Sequence, residues 1–303
     1  MEHRTTDESS DGKTTPTIRL LTSGDLSFAA ALTRIAGWNQ VEADWAGYLA
    51  LKPDGCFLAE IAGKPAGTAT TVAYDGEVGW IGMLLVHPDS RRSGVGTALL
   101  NHCIRHLSGA GIRAIKLDAT PMGKQVYIPI GFADEYEVNR YEGMLPAASV
   151  EWDATFPSGG VSVIEDADLA ELNAFDREYF GVGRWHALNV LIGRRADWSL
   201  VARSSDGRIA GCLLAREGYE AVQLGPWTAR DGEVARRLLA EACRRMPGRR
   251  VYVDVPCLNR DGMKLMDALG FKVQRGFTRM TLGENRHPGR PEGIYGTAGA
   301  EKG

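Results

Sequence analysis

Residues 80–99 constrain the fold more than any other stretch. They read Trp-Ile-Gly-Met-Leu-Leu-Val-His-Pro-Asp-Ser-Arg-Arg-Ser-Gly-Val-Gly-Thr-Ala-Leu. Trp80 to Val86 is a short apolar run, the pattern of a buried strand. Pro88 cannot donate to a ladder and ends it. Behind the turn at Gly94-Val95-Gly96, the residues Leu99, Leu100, Cys103, Ile104 and Leu107 recur at helical spacing. A strand, a glycine turn and a helix start make an anion site. The first amides of the helix lack partners, and its dipole is positive there. The glycines let a ligand reach the backbone, and Arg91 and Arg92 add charge.

The loop is neither of the two commoner phosphate loops. No Gly-Lys-Ser/Thr ending follows, and the spacing after Gly96 reaches Leu99 where the dinucleotide fingerprint needs glycine or alanine. It resembles motif A of the GCN5-related N-acetyltransferases, the GNAT superfamily. Arg91, Gly94 and Gly96 fill the motif's Arg/Gln-x-x-Gly-x-Gly/Ala, and Val86-His87-Pro88 fills its Val-x-Pro step. A second signature, Tyr-x-x-x-Gly-Phe, is matched by Tyr127 to Phe132. The order of expected elements over residues 17 to about 145, βααβββαβαβ, is that of the family. Within it Thr17–Leu21, Cys56–Ile61, Ala66–Ala73, 77–86 and Ala114–Ala119 read as strands. Asp75-Gly76 signals a hairpin turn, and Pro121 opens a helix.

Composition limits the alternatives. The chain has 303 residues, 44% hydrophobic and 24% charged, with a net charge of −3, so no electrostatic case arises for nucleic acid or a membrane surface. No apolar run reaches the length of a membrane span. Five cysteines without Cys-x-x-Cys spacing read as free thiols of a reducing compartment, and the expected location is cytoplasmic. No histidine or cysteine set has metal-ligand spacing; His102 and His106 lack acidic partners. Residues 1–15 are polar and read as a disordered tail.

The pattern then repeats. Residues 146–160 read as a linker between a domain at 16–145 and a second at 161–303. Gly207 to Gly211 echoes Gly63 to Gly67, Val251 to Asp254 echoes Ile115 to Asp118, and Gly270-Phe271 echoes Gly131-Phe132. The expected fold class is α/β with mixed sheets. Two tandem GNAT folds are expected, each with a twisted, largely antiparallel sheet flanked by helices. The second copy fails at the anion loop. Gly94 maps to Gly232, but Arg91 maps to Ala229 and Gly96 to Val234, while Asp231 and Glu233 bring negative charge. The second copy is therefore not expected to bind acetyl-CoA productively. It resembles the C-terminal GNAT-like domain of tandem bacterial acetyltransferases.

The resemblance implies acetyl transfer from acetyl-CoA, as cosubstrate, to a primary amine by direct attack in a ternary complex. The acceptor is a small-molecule or peptide amine, and the protein is a monomer or homodimer. Arg91, Arg92, Ser93, Gly94, Val95, Gly96 and Thr97 would hold the pyrophosphate. Met83, Leu84, Leu85 and Val86 would hold the pantetheine arm, with the carbonyl-polarising amide near Leu85. Tyr127 would protonate the departing thiolate; a phenol pKa near ~10 keeps it an acid at neutral pH. Glu77 or Asp118 would help deprotonate the amine. Trp38, Asn39 and Trp80, with Asp254, Asn259 and Arg279 of the second copy, are the expected acceptor-binding residues; Trp45 and Tyr48 read as packing. Transfer of a longer acyl chain and a non-catalytic acyl-CoA-binding regulatory module are the alternatives.

Overall fold

The structure, a computed structural model, describes residues 15–146 and 159–303. The expected tail and nearly all of the expected linker lie outside the described residues. The first half runs β1 (Thr17–Leu20), α1 (Leu26–Ile35), α2 (Glu42–Leu51), β2 (Cys56–Ile61), β3 (Lys64–Tyr74), β4 (Val78–Val86), α3 (Val95–Gly109), β5 (Ala114–Ala119), α4 (Pro121–Tyr127) and β6 (Ala133–Met144). The second half repeats it: β7 (Val161–Val163), α5 (Leu169–Phe180), α6 (Trp185–Arg194), β8 (Leu200–Arg203), β9 (Ile209–Arg216), β10 (Val222–Ala229), α7 (Gly232–Arg245), β11 (Arg250–Pro256), α8 (Arg260–Ala268) and β12 (Lys272–Leu282). One strand has no counterpart in the first half, β13 (Ile294–Gly296).

Local chemistry explains the boundaries. Asp75 and Gly76 both have positive φ, 50° and 71°, the turn that joins β3 to β4 with the right twist. The Thr120 hydroxyl accepts the Gly123 amide at 3.2 Å ahead of Pro121, capping α4. Asn259 does the same for α8, accepting the Gly262 amide at 2.8 Å. Leu99, Leu100, Cys103 and Leu107 of α3 pack on Phe57, Ala69 and Ile81 beneath them.

Thirteen strands form one sheet in the order β1-β2-β3-β4-β5-β12-β6-β11-β10-β9-β8-β7, with β13 paired to β10. The pairs β4–β5 and β10–β11 are parallel, and the other strand pairs are antiparallel. The two halves exchange strands: β12 lies beside β5 of the first half, and β6 lies beside β11 of the second. Each half thus completes the other's sheet.

Two matching ion pairs fasten the exchange. Arg279 on β12 is opposite Asp118 on β5 and grips it bidentately at 2.8 and 2.9 Å. Arg140 on β6 is opposite Asp254 on β11 and grips it at 2.7 and 2.7 Å. All four side chains are almost fully buried. Paired guanidinium forks satisfy buried carboxylates that would otherwise be costly. The α1–α2 connection docks across the halves as well. Asn39 donates to the Ala221 carbonyl at 2.9 Å and accepts the Glu220 and Ala221 amides at 3.0 and 3.1 Å.

Candidate active site

Strands β4 and β5 pair only at Val78–Ala114, Gly79–Ile115 and Trp80–Lys116. Beyond Trp80 they part, leaving a gap along the rest of β4. The ladder to β3 shifts register between Thr68 and Thr70, and Met83 sits in the bulge at φ +50°. The Thr68 hydroxyl donates to the Met83 carbonyl at 2.9 Å and fixes it. The His87 amide bonds to the Ala66 carbonyl at 2.8 Å. Ladder alternation from that bond turns the Leu85 amide toward β3, opposite Thr68, and turns the peptides of Leu84 and Val86 into the gap. The Leu85 amide is therefore committed to the sheet, and the amide near it that turns into the gap is that of Leu84.

The gap leads to the start of α3. The amides of Arg92 to Thr97 have no acceptor among the described residues. Gly94 sits at φ +86° and Arg92 at φ +63°, a concave backbone that gathers these donors. A Cβ on Gly96 would meet nothing closer than a Val86 methyl at 3.5 Å, so the cradle has room on its ligand side. Ser93 turns its hydroxyl to the Ser90 carbonyl at 2.6 Å, which shapes the turn. Arg91 and Arg92 are exposed. Tyr127 lies under α3, buried beside Phe132, and its hydroxyl has no bonding partner among the described residues. Burial, then the nearby Cys103, pushes its phenol up to about 12.

The same region of the second half is closed. Asp231 caps α7, its carboxylate accepting the Val234 amide at 2.9 Å, so the helix start supplies its own anion. Strands β10 and β11 pair at Val222–Val251 through Leu224–Val253 and then part. Here β13 enters the gap: Gly296 pairs with Trp227 and Ile294 with Thr228, and the Thr297 amide donates to the Asp254 carbonyl at 2.9 Å. The chain's own backbone lies where the first half leaves a slot.

Most residues expected to act on the acceptor are structural. Glu77 is exposed in the β3–β4 turn, 3.4 Å from His287, at the far end of β4 from the bulge. Six steps of extended chain separate it from Met83, about 20 Å, which removes it as a base for that site. Asp118 is occupied by Arg279; burial pushes its carboxyl up, against the pull of that guanidinium. Asp254 is held by Arg140. Asn259 caps α8 and donates to the Ile294 carbonyl at 3.0 Å, and Asn39 is the docking residue described above. Arg279 also donates to the Tyr136 hydroxyl at 2.7 Å and lies over the Trp80 ring. Trp80 faces the α1–α2 side and donates to the Ala300 carbonyl at 3.2 Å. Trp38 is half-buried against the same cluster, and Trp45 is a core residue.

Sequence reasoning missed two things. Arg140 was legible, since it precedes Arg279 by the same offset that links Gly131-Phe132 to Gly270-Phe271. The buried segment that follows β13 gave no signal beyond small residues, glycines and the pair Glu301-Lys302.

Comparison with known proteins bears on the family and the fold. The acetyltransferase (GNAT) family model matches residues 28–125, and an acetyltransferase (GNAT) domain model matches residues 172–296. The uncharacterized N-acetyltransferase YitH of Bacillus subtilis (strain 168) is 27% identical over 177 residues, 58% of this chain and 60% of that protein's length. A putative acetyltransferase from Pyrococcus horikoshii superposes over 100% of both chains with a TM-score of 0.78 at 23% identity. A tandem GNAT protein from the clavulanic acid biosynthesis pathway covers 89% of this chain and 98% of its own, with a TM-score of 0.61 at 16% identity. Two matched halves, a shared tandem fold and an open anion loop in the first half place this chain in the GNAT superfamily as a tandem two-domain member.

Proposed function

We propose that the first half transfers an acetyl group from acetyl-CoA to a primary amine by direct attack, and that the second half binds no cofactor. One observation carries the reading: the free peptides of Leu84 and Val86 line a gap that runs into the unpaired amides of Arg92 to Thr97. That is a continuous donor track matched to an extended arm ending in a pyrophosphate. In this reading the Leu84 amide polarises the thioester carbonyl as the oxyanion forms. Tyr127, protonated throughout the neutral range, gives its proton to the departing thiolate. For the amine's proton the structure offers Glu137. It is exposed, accepts the Thr278 hydroxyl at 3.0 Å, and lies in the cross-strand row of Thr278 and Ala119 at the end of β5.

The test is a calorimetric titration of acetyl-CoA into the full chain, paired with a Tyr127→Phe variant. One site per chain is expected, and two sites would overturn the assignment of the second half. Tyr127→Phe should bind acetyl-CoA as the parent does and lose about 100-fold or more in turnover. A regulatory acyl-CoA sensor would be indifferent to that change.

A further inference from the structure

Residues 297–303 follow β13 out of the second half and cross to the α1–α2 face of the first. All but Ala300 are buried. Their backbone carbonyls are taken by three side chains of the first half. The Tyr48 hydroxyl donates to Glu301 at 2.9 Å, the Tyr74 hydroxyl to Lys302 at 3.0 Å, and the Trp80 indole to Ala300 at 3.2 Å. The Glu301 carboxylate fixes the register, accepting Gln40 at 2.7 Å, Arg216 at 2.9 Å and Lys302 at 2.8 Å. Hydroxyl and indole donors on backbone acceptors hold a chain's path, and a buried paired charge stops it sliding.

The path matters because of what it presses on. A Cβ at Gly82 would stand 2.4 Å from the Glu301 carbonyl oxygen, so the segment rests directly on the β4 backbone there. Gly82 precedes Met83, the bulge residue that decides which peptides turn into the gap. Thr68 holds the bulge from within the sheet, and the 297–303 segment holds it from above.

We propose that residues 297–303 are a positioning element of the first half's active site. By clamping β4 at Gly82 they align the Leu84 amide with the thioester carbonyl, so the second half's end contributes to turnover without touching the cofactor. The proposal rests on the acetyltransferase reading above. The segment acts through the strand beneath it, and misalignment of a single oxyanion donor is enough to slow acyl transfer.

The experiment uses the full chain and acetyl-CoA labelled with 13C at the carbonyl, so no acceptor need be known. Infrared difference spectra read the carbonyl band of the bound thioester; calorimetry reads affinity; release of thiol reads hydrolysis by water. Gly82→Ala puts a methyl where the Glu301 carbonyl lies and must displace the segment. Tyr48→Phe removes one hydroxyl and keeps the shape. In both, the bound carbonyl band should move toward its position in free acetyl-CoA. Hydrolysis should slow, by about tenfold for Gly82→Ala and less for Tyr48→Phe. Affinity should hold within about threefold, since one neutral hydrogen bond is at stake. Variants that bind acetyl-CoA with an unmoved band and unchanged hydrolysis would overturn the positioning role alone. Loss of binding in proportion to loss of folded protein, with the remaining bound band unmoved, would also overturn it. Failure of the parent protein to bind acetyl-CoA would overturn the acetyltransferase reading and this inference with it.

Discussion

Val95 and Leu99 pack on Gly67 as Val234 and Leu238 pack on Gly211, which corrects the matching of the two helix starts: Gly96 is matched by Ala235 and Arg91 by Arg230. At Gly96 the ligand side of the loop is open, with the nearest methyl at 3.5 Å from a would-be Cβ. At the second helix start the methyl of Ala235 stands at that place, and Asp231 already satisfies the Val234 amide. A side chain placed at Gly96 should therefore obstruct the open ligand side. Gly96→Val is expected to weaken acetyl-CoA binding at least ~30-fold by calorimetry, the scale of losing two charge-assisted amide bonds. The far-ultraviolet circular dichroism should not change, because valine is tolerated in the first turn of a helix. Binding within threefold of the parent would show that the pyrophosphate does not lie on this loop. Tyr127 is readable at this scale too, since its spacing to Gly131-Phe132 gave its place on α4. Its raised phenol pKa was not readable, because burial under α3 is set by packing.

At the scale of elements, the exchange of β6 and β12 changes what several charged residues mean. Asp118, Asp254 and Arg279 looked like site residues because ionisable groups at strand ends often are. Their opposite numbers were unknown until the strand order was known. The strand order joins Asp118 to Arg279 and Asp254 to Arg140, across 161 and 114 residues of chain. Removing one member of a buried bidentate pair leaves the other charged and unpaired. Asp254→Ala is thus expected to lower stability by about 3–5 kcal/mol, measured by urea unfolding of the full chain. A loss under ~1 kcal/mol would mean that water reaches Arg140 and that the pair does not lock the exchange. Asn259 and Thr120 likewise cap equivalent helices.

The whole molecule is governed by one continuous sheet and by the segment that ends it. Glu301 belongs to neither repeated pattern, yet it joins α2 through Tyr48, β9 through Arg216 and the first half's β4 at Gly82. Burial alone would raise its carboxyl, but Lys302 and Arg216 together pull it down to about 2. Because the folded value lies below the ordinary carboxylate range, ionised Glu301 adds stability above about pH 4.5. That stability is lost as pH falls toward 2. Glu301→Gln should therefore lower Tm at pH 7 and flatten its fall between about pH 4.5 and 2, measured by calorimetric melts across that range. Parallel melting curves for parent and variant would show that the carboxylate is not held ionised by its neighbours.

The sequence by itself determined the local pieces. Apolar periodicity marked β4 and α3, glycine and proline marked the turns, and a repeat at an offset near 139 announced two copies of one fold. The acidic residues Asp231 and Glu233 in the second loop announced its failure as an anion site. These are properties of short windows, where side-chain type and backbone preference act within a turn or two. Only the tertiary structure decided the partners. Strand exchange, the filling of the second gap by β13, the commitment of Leu85 to the ladder and the docking of residues 297–303 on Gly82 all depend on pairings between distant segments. Backbone hydrogen bonds make such pairings without regard to residue type, so little in the local sequence records them.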